Sequence, residues 1–158
     1  MVTDLRDTTG TRGELILHLW LTDFKEFPQS LFRPQFLGEK WPTIDFYVEL
    51  KAVHKGKPYF FAQAKSTTTA LSGGVRISAK KKDIELLLQI PGPTYIFGIH
   101  EPSKTVFVRS VHTGTPVKGI SRIPLSHKLT RGKLRVLHQE VREFWRTNGR
   151  KPLSSVFA

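Results

Sequence analysis

Four residues have the types and spacing from which chemistry can be built: Glu14, Asp45, Gln63 and Lys65. Residues two apart on a strand point to the same face, so Gln63 and Lys65 emerge side by side, roughly 6–7 Å apart. Asp45 stands between the apolar Ile44 and Phe46 in the run Thr43–Lys51, which His54-Lys55-Gly56-Lys57 joins to the run Pro58–Lys65. Both runs are rich in aromatic and β-branched residues and read as a β-hairpin, with Phe60, Ala62 and Ala64 turned to a core. A carboxylate, an amide oxygen and an ammonium then converge on one patch of sheet. A hard cation such as Mg²⁺ takes oxygen ligands, keeps several waters and needs only one or two carboxylates. Bound there, it would polarise a phosphoryl oxygen, while the lysine orients water or offsets developing charge. The set suits metal-assisted hydrolysis of a phosphodiester.

The elements that must position these residues follow from periodicity. Thr11–Lys25 predicts a helix that is apolar on most sides and hence largely buried, with one polar stripe of Glu14, His18, Thr22 and Lys25. Thr11-Arg12-Gly13-Glu14 also fits a capping box with Thr11 as N-cap, so Glu14 has a structural role open to it beside a role in a site. Pro28, Pro34 and Pro42 punctuate a connection around a short strand at Ser30–Phe36, and Ser66–Gly74 reads as a polar, Gly-ended loop. A second helix is expected from Ser78, with Ile84, Leu87 and Leu88 on its apolar side, ending at Ile90-Pro91-Gly92-Pro93. Strands at Thr94–Ile99 and Thr105–Val111 and a helix over Thr130–Thr147 complete the order. Helix, three strands, helix, two strands, helix predicts one mixed α/β domain over residues 1–158. The link from the third strand to the fourth is long enough for a right-handed crossover.

Charge points to the partner. Among 158 residues, 25 are Lys or Arg and 13 Asp or Glu, a net +12. Residues 1–50 hold 5 basic and 8 acidic side chains, and residues 51–158 hold 20 and 5. So uneven a field attracts a polyanion, and nucleic acid is the common one. Lys80, Lys81 and Lys82 open the second helix, where the dipole is already positive, an arrangement suited to a docked phosphate. The loop that begins at Ser66 offers hydroxyl and N–H groups to the same anion. In the last helix Arg131, Arg135, His138, Arg142 and Arg146 recur at spacings of 4, 3, 4 and 4 beside an apolar face of Leu134, Leu137, Val141, Phe144 and Trp145. Such a helix contacts phosphates, a membrane surface or an acidic partner. Trp145 shares the apolar face and is read as packing. Nothing in these charges implies base readout, so little sequence specificity is expected.

Other classes find no support. The chain has no Cys, and its 6 His form no H-E-x-x-H or close pair, which argues against zinc and disulfide frameworks. Gly73-Gly74 leads into no G-K-[ST], and no G-x-S-x-G elbow occurs. No apolar run approaches a membrane span, and Met1–Asp7, with two acids and one Arg, lacks a signal-peptide pattern, so a cytoplasmic protein is expected.

Gly13-Glu14, Asp45, Phe61-Ala62-Gln63-Ala64-Lys65-Ser66, Pro93–Gly98 and Thr105–Val108 together resemble the PD-(D/E)XK nuclease superfamily over residues 9–113. The likeness is nearest to a bacterial family known only as a domain of unknown function, then to the Mrr-like restriction endonucleases. It implies a restriction-endonuclease-like αβββαβ core with a mixed central sheet flanked by helices, followed by an extension over residues 114–158 with the basic helix. It also implies Mg²⁺ or Mn²⁺ and DNA cleavage, with Asp45, Gln63 and the Ala64 carbonyl as metal ligands. Lys65 would be the catalytic lysine and Glu14 an auxiliary acid at the metal. Two departures stand out: Thr43 occupies a position that is usually Gly, and Gln63 one that is usually acidic, which leaves fewer charges on the metal and weaker affinity. The expectation is a Mg-dependent deoxyribonuclease of low specificity, in phage defence or mobile-element biology. RNA is left open as a substrate, as are a homodimer and a partner such as an ATPase subunit; no membrane is involved. Two alternatives stand beside it: the same fold kept as a DNA-docking platform with cleavage lost, and an interaction protein whose basic helix recruits an acidic partner.

Overall fold

The computed structural model describes residues 2–25, 27–38 and 41–158, so Met1 of the opening stretch lies outside it. In chain order the elements are α1 (Val2–Leu21), β1 (Phe32–Phe36), β2 (Phe46–Leu50), β3 (Tyr59–Thr67), β4 (Gly74–Ala79) and α2 (Lys81–Leu88). After these come β5 (Thr94–His100), β6 (Thr105–Ser110), β7 (Ile120–Pro124), a 3₁₀ turn at Leu125–His127 and α3 (Arg131–Arg146). Five strands form one sheet in the order β1-β2-β3-β5-β6. β3 and β5 run parallel and the other neighbours antiparallel, so the fold is α/β with a mixed sheet flanked by helices. No helix among the described residues is long and apolar enough to cross a membrane.

Alternation along the strands sends side chains to two cores. Phe46, Val48, Phe60, Ala62, Tyr95, Phe97, Val106 and Val108 meet Ile16, Leu17 and Leu21 of α1 and Leu134, Leu137 and Val141 of α3 on one face. Ile96 and Phe107 meet Ile84 and Leu87 of α2 on the other, with Val75 and Ala79 of β4 and Ile123 of β7. Both faces are covered, as the parallel pair at the centre requires. Three polar links fasten α3 to the sheet: Tyr95 Oη to Glu140 (2.6 Å), Trp145 Nε1 to the Tyr59 carbonyl (2.8 Å) and His138 Nε2 with the Lys51 carbonyl (2.7 Å). Residues beyond 113 are therefore built into the core, down to the buried Phe157.

Several expectations change. α1 starts nine residues before Thr11, which sits inside the helix and cannot cap it, so the capping-box reading of Glu14 falls. The helix is not buried all round either, since Leu15 and Leu19 are 61% and 70% exposed. β4 and β7 were not expected; they pair with each other in a separate two-stranded sheet. β4 occupies the stretch where α2 was expected to begin, and α2 starts at Lys81. His138 leaves the basic stripe of α3, being 6% exposed and packed against Phe32 in the core.

α1 crosses the C-terminal ends of β3 and β5. Arg12 pairs with Glu101, just past β5 (2.6 Å), and Trp20 Nε1 donates to the Lys104 carbonyl in the β5–β6 turn (3.1 Å). Gly13 is the point of closest approach, because a Cβ there would overlap Ser66 Oγ. Overpacking of this kind costs about 1–3 kcal/mol. Gly13→Ala should therefore destabilise the protein by that amount in urea unfolding, and adding Ser66→Gly should return most of it. Simple additivity in the double-mutant cycle would refute the close approach.

Candidate functional site

Asp45 lies just outside β2 rather than within it, since the strand begins at Phe46. Its N–H still donates to the Ala62 carbonyl (2.9 Å), but the regular pleat is broken there. Residues two apart on a strand share a face, whereas Ile44 belongs to the α2-side core and Phe46 to the α1-side core. The backbone therefore turns at Asp45, as it does at bulges that re-aim a side chain. Thr43 takes part with φ +72°, a left-handed conformation that is an outlier for a β-branched residue. Thr43 is strained to adopt this conformation, at about 1–2 kcal/mol.

β3 continues past the end of β2. Register between them ends at Phe46↔Ala62, while β3 goes on pairing with β5 as far as Thr67↔His100. A strand residue directs its N–H and C=O to the same side, and those of Ala62 point to β2. Ala64, two residues on, points the same way with no strand to meet it. The Ala64 N–H is instead taken by Asp45 Oδ2 at 2.7 Å. The Ala64 carbonyl opens onto the same edge. One bond thus places the carboxylate of Asp45 beside the carbonyl expected to act with it.

Gln63 is 4% exposed, and its Oε1 has no hydrogen-bond partner. An unsatisfied buried acceptor costs about 1–3 kcal/mol, and each one needs an explanation. Burial, and then the charge of Asp45, raise the Glu14 carboxyl above its usual range. Burial likewise raises Asp45, against the Ala64 N–H and the charge of Lys65, which pull it down. Lys65 lies between Asp45 and Asp83, 3.8 Å from the Asp83 carboxylate. Asp83 Oδ2 also accepts the N–H of Lys80 (3.0 Å), so one carboxylate links Lys65 to the start of α2.

Glu14, Asp45, the Ala64 main chain and Lys65 therefore gather at one notch in the sheet edge, with Gln63 on the Lys65 face of β3 one residue before Ala64, and Ser66 lies against Gly13. Among the described residues no three His, Cys, Asp or Glu side chains form a group. The notch offers two carboxylates, an amide oxygen lacking a donor and a main-chain carbonyl, a donor set of hard oxygens that fits Mg²⁺ or Mn²⁺. The arginines of α3 are placed elsewhere. Arg131 bonds Asp23 (2.9 Å), Arg135 lies over the ring of Phe27, and Arg146 is held by Glu143. Arg142 and Arg146 face the β2–β3 turn at the N-terminal end of β3, about 20 Å from Lys65 at strand rise. Asp83 was missed in the sequence. The signal for Asp83 was an acid three residues after Lys80, obscured by starting the helix at Ser78. No family model, curated protein or solved structure matches the chain.

A raised carboxyl favours the folded state in its protonated form. That stabilisation is complete below about pH 4 and is lost as pH climbs through the raised values, so at neutral pH both carboxylates weaken the metal-free fold. Asp45→Asn keeps an acceptor for the Ala64 N–H and removes the charge. In the absence of divalent metal it should raise stability at pH 7 by about 0.5–2 kcal/mol, with the gain vanishing near pH 3.5 in thermal unfolding.

Proposed function

We propose that this protein is a divalent-metal-dependent nuclease with a restriction-endonuclease-like core of the PD-(D/E)XK type, which hydrolyses DNA phosphodiester bonds with little sequence specificity. The observation that carries the reading is the buried, donorless Oε1 of Gln63, on the same face of β3 as Lys65 and one residue before Ala64, whose N–H the Asp45 carboxylate accepts with Glu14 close by. Asp45, Gln63 and the Ala64 carbonyl would hold Mg²⁺ or Mn²⁺, with Glu14 as supporting acid. When bound, such a cation supplies charge stabilisation to a phosphoryl oxygen and lowers the pKa of water. Lys65 positions the attacking water and neutralises charge that develops on the phosphate. Asp83 holds that ammonium on its far side, and Asp45 is fixed by the Ala64 N–H. A buried glutamine in place of an acid lowers the charge of the site, so the metal is held weakly.

Purified protein incubated with supercoiled plasmid should nick it in Mg²⁺ or Mn²⁺ and not in EDTA. Lys65→Ala should lower the rate by about 10²–10³ at unchanged folding, as the loss of one charge-stabilising group does. Plasmid left intact in both metals at high protein concentration would sink the catalytic reading and leave a DNA-docking platform. Gln63→Glu tests the ligand role without relying on turnover. It should tighten Mn²⁺ binding in calorimetry and make the metal-free protein less stable, because it adds a buried charge that only the cation compensates. Unchanged metal affinity would remove Gln63 from the site.

A further inference from the structure

The two-stranded sheet absent from the sequence expectations carries a charge arrangement that its own fold does not explain. Arg76 of β4 and Arg122 of β7 stand directly opposite each other across the ladder, both exposed. Like charges in that register are destabilising. Neither guanidinium has a carboxylate partner among the described residues. The same two residues, with Ile77 and Ser121, line a depression on the ribbon. β4 then leads straight into Lys80, Lys81 and Lys82, and Gly119 brings Lys118 alongside, its backbone packed against Ala79 and Lys80. Six cations thus share one surface, and the nearest acids are Asp83, shared with Lys65, and Glu85, paired with Lys81 (3.9 Å).

The inner face of the ribbon fixes its distance from the notch. A Cβ on Gly98 would stand 2.7 Å from Val75 Cγ1, 3.1 Å from Ile77 Cγ2 and 3.2 Å from Ile123 Cδ1, so the ribbon lies flat on β5 at that residue. Gly98 is the register partner of Lys65. One strand spacing of about 4.8 Å across and one layer of about 10 Å up therefore separate Lys65 from the arginine-bearing face. That is a few base steps of duplex, at 3.4 Å per step along each strand. A two-stranded ribbon is also among the few elements slim enough to lie against a duplex groove.

We propose that the β4–β7 ribbon and the start of α2 form the surface on which duplex DNA rests. Its phosphates are held by Arg76, Arg122 and Lys80–Lys82, so that a neighbouring phosphodiester lies at the notch. The proposal rests on the nuclease reading for its choice of polyanion, but its test does not need cleavage. Binding of a short labelled duplex is measured in EDTA across a salt series for the wild-type chain, for Arg76→Ala with Arg122→Ala, and for Lys55→Ala with Lys57→Ala at the opposite end of β3. The ribbon variant should bind at least about tenfold more weakly and flatten the salt dependence by roughly 2 in slope, near 0.9 per lost phosphate contact. Its melting temperature should not fall, since a like-charge pair has been removed. The Lys55/Lys57 variant should bind as wild type. Wild-type affinity in the ribbon variant, or a loss confined to the Lys55/Lys57 variant, overturns the proposal, as does preference for an acidic protein over DNA at matched charge. A protein that binds through the ribbon and never nicks plasmid refutes the nuclease reading alone. One that nicks normally with the ribbon arginines removed refutes the ribbon alone.

Discussion

The hydrogen bond from the Ala64 N–H to the Asp45 carboxylate is the point from which the rest of the site is arranged. It exists because β3 outruns β2 by several residues while staying paired with β5 on its other side. A main-chain N–H in a half-buried position must find an acceptor. With no strand to supply one, a side chain from the preceding segment does. That single requirement turns the backbone at Asp45, holds Thr43 in a left-handed conformation and leaves the Ala64 carbonyl open at the same edge. Gly13 lets α1 close over the end of β3, and Glu14 arrives next to Asp45 as a consequence.

Several local costs fall near Asp45. A donorless buried amide oxygen, two carboxyls raised by burial and a strained β-branched residue lie on β3, on the segment leading into β2 and on α1. Elsewhere the buried polar groups are satisfied by one another: Tyr95 with Glu140, His138 with the Lys51 carbonyl, His100 with Ser103. Arg109 Nε is also buried without an acceptor among the described residues. Proteins that break local rules tend to break them where they bind something.

The basic surplus is distributed rather than pooled. The guanidiniums of Arg131 and Arg146 are engaged with carboxylates of the same chain, and Arg135 with an aromatic ring, so much of the charge on α3 serves its own docking. At the other end of the sheet, near Lys65, Arg76 of β4 and Arg122 of β7 have no carboxylate partner among the described residues. Net charge alone could not separate the two groups. Burial and ion pairing do, because a charge already neutralised within the fold contributes little to a long-range field.

The hairpin, the placement of Gln63 and Lys65 on one strand, the order of the main elements and the limits of α3 were all legible in residue order. They depend on period and on turn chemistry, which act over a few neighbours. Thr130 and Thr147 bound α3 as its composition implies, and Trp145 packs on Tyr59 as its apolar face requires. The start of α1, the exposure of Leu15 and Leu19, the burial of His138, and the pairing of β4 with β7 were not. The burial of His138 and the pairing of β4 with β7 depend on which surface a segment meets after some forty or more residues of intervening chain, and no local pattern encodes that partner. The candidate residues were visible as types at spacings. Their convergence was decided by the sheet, through the unequal lengths of two neighbouring strands and a glycine that admits a helix.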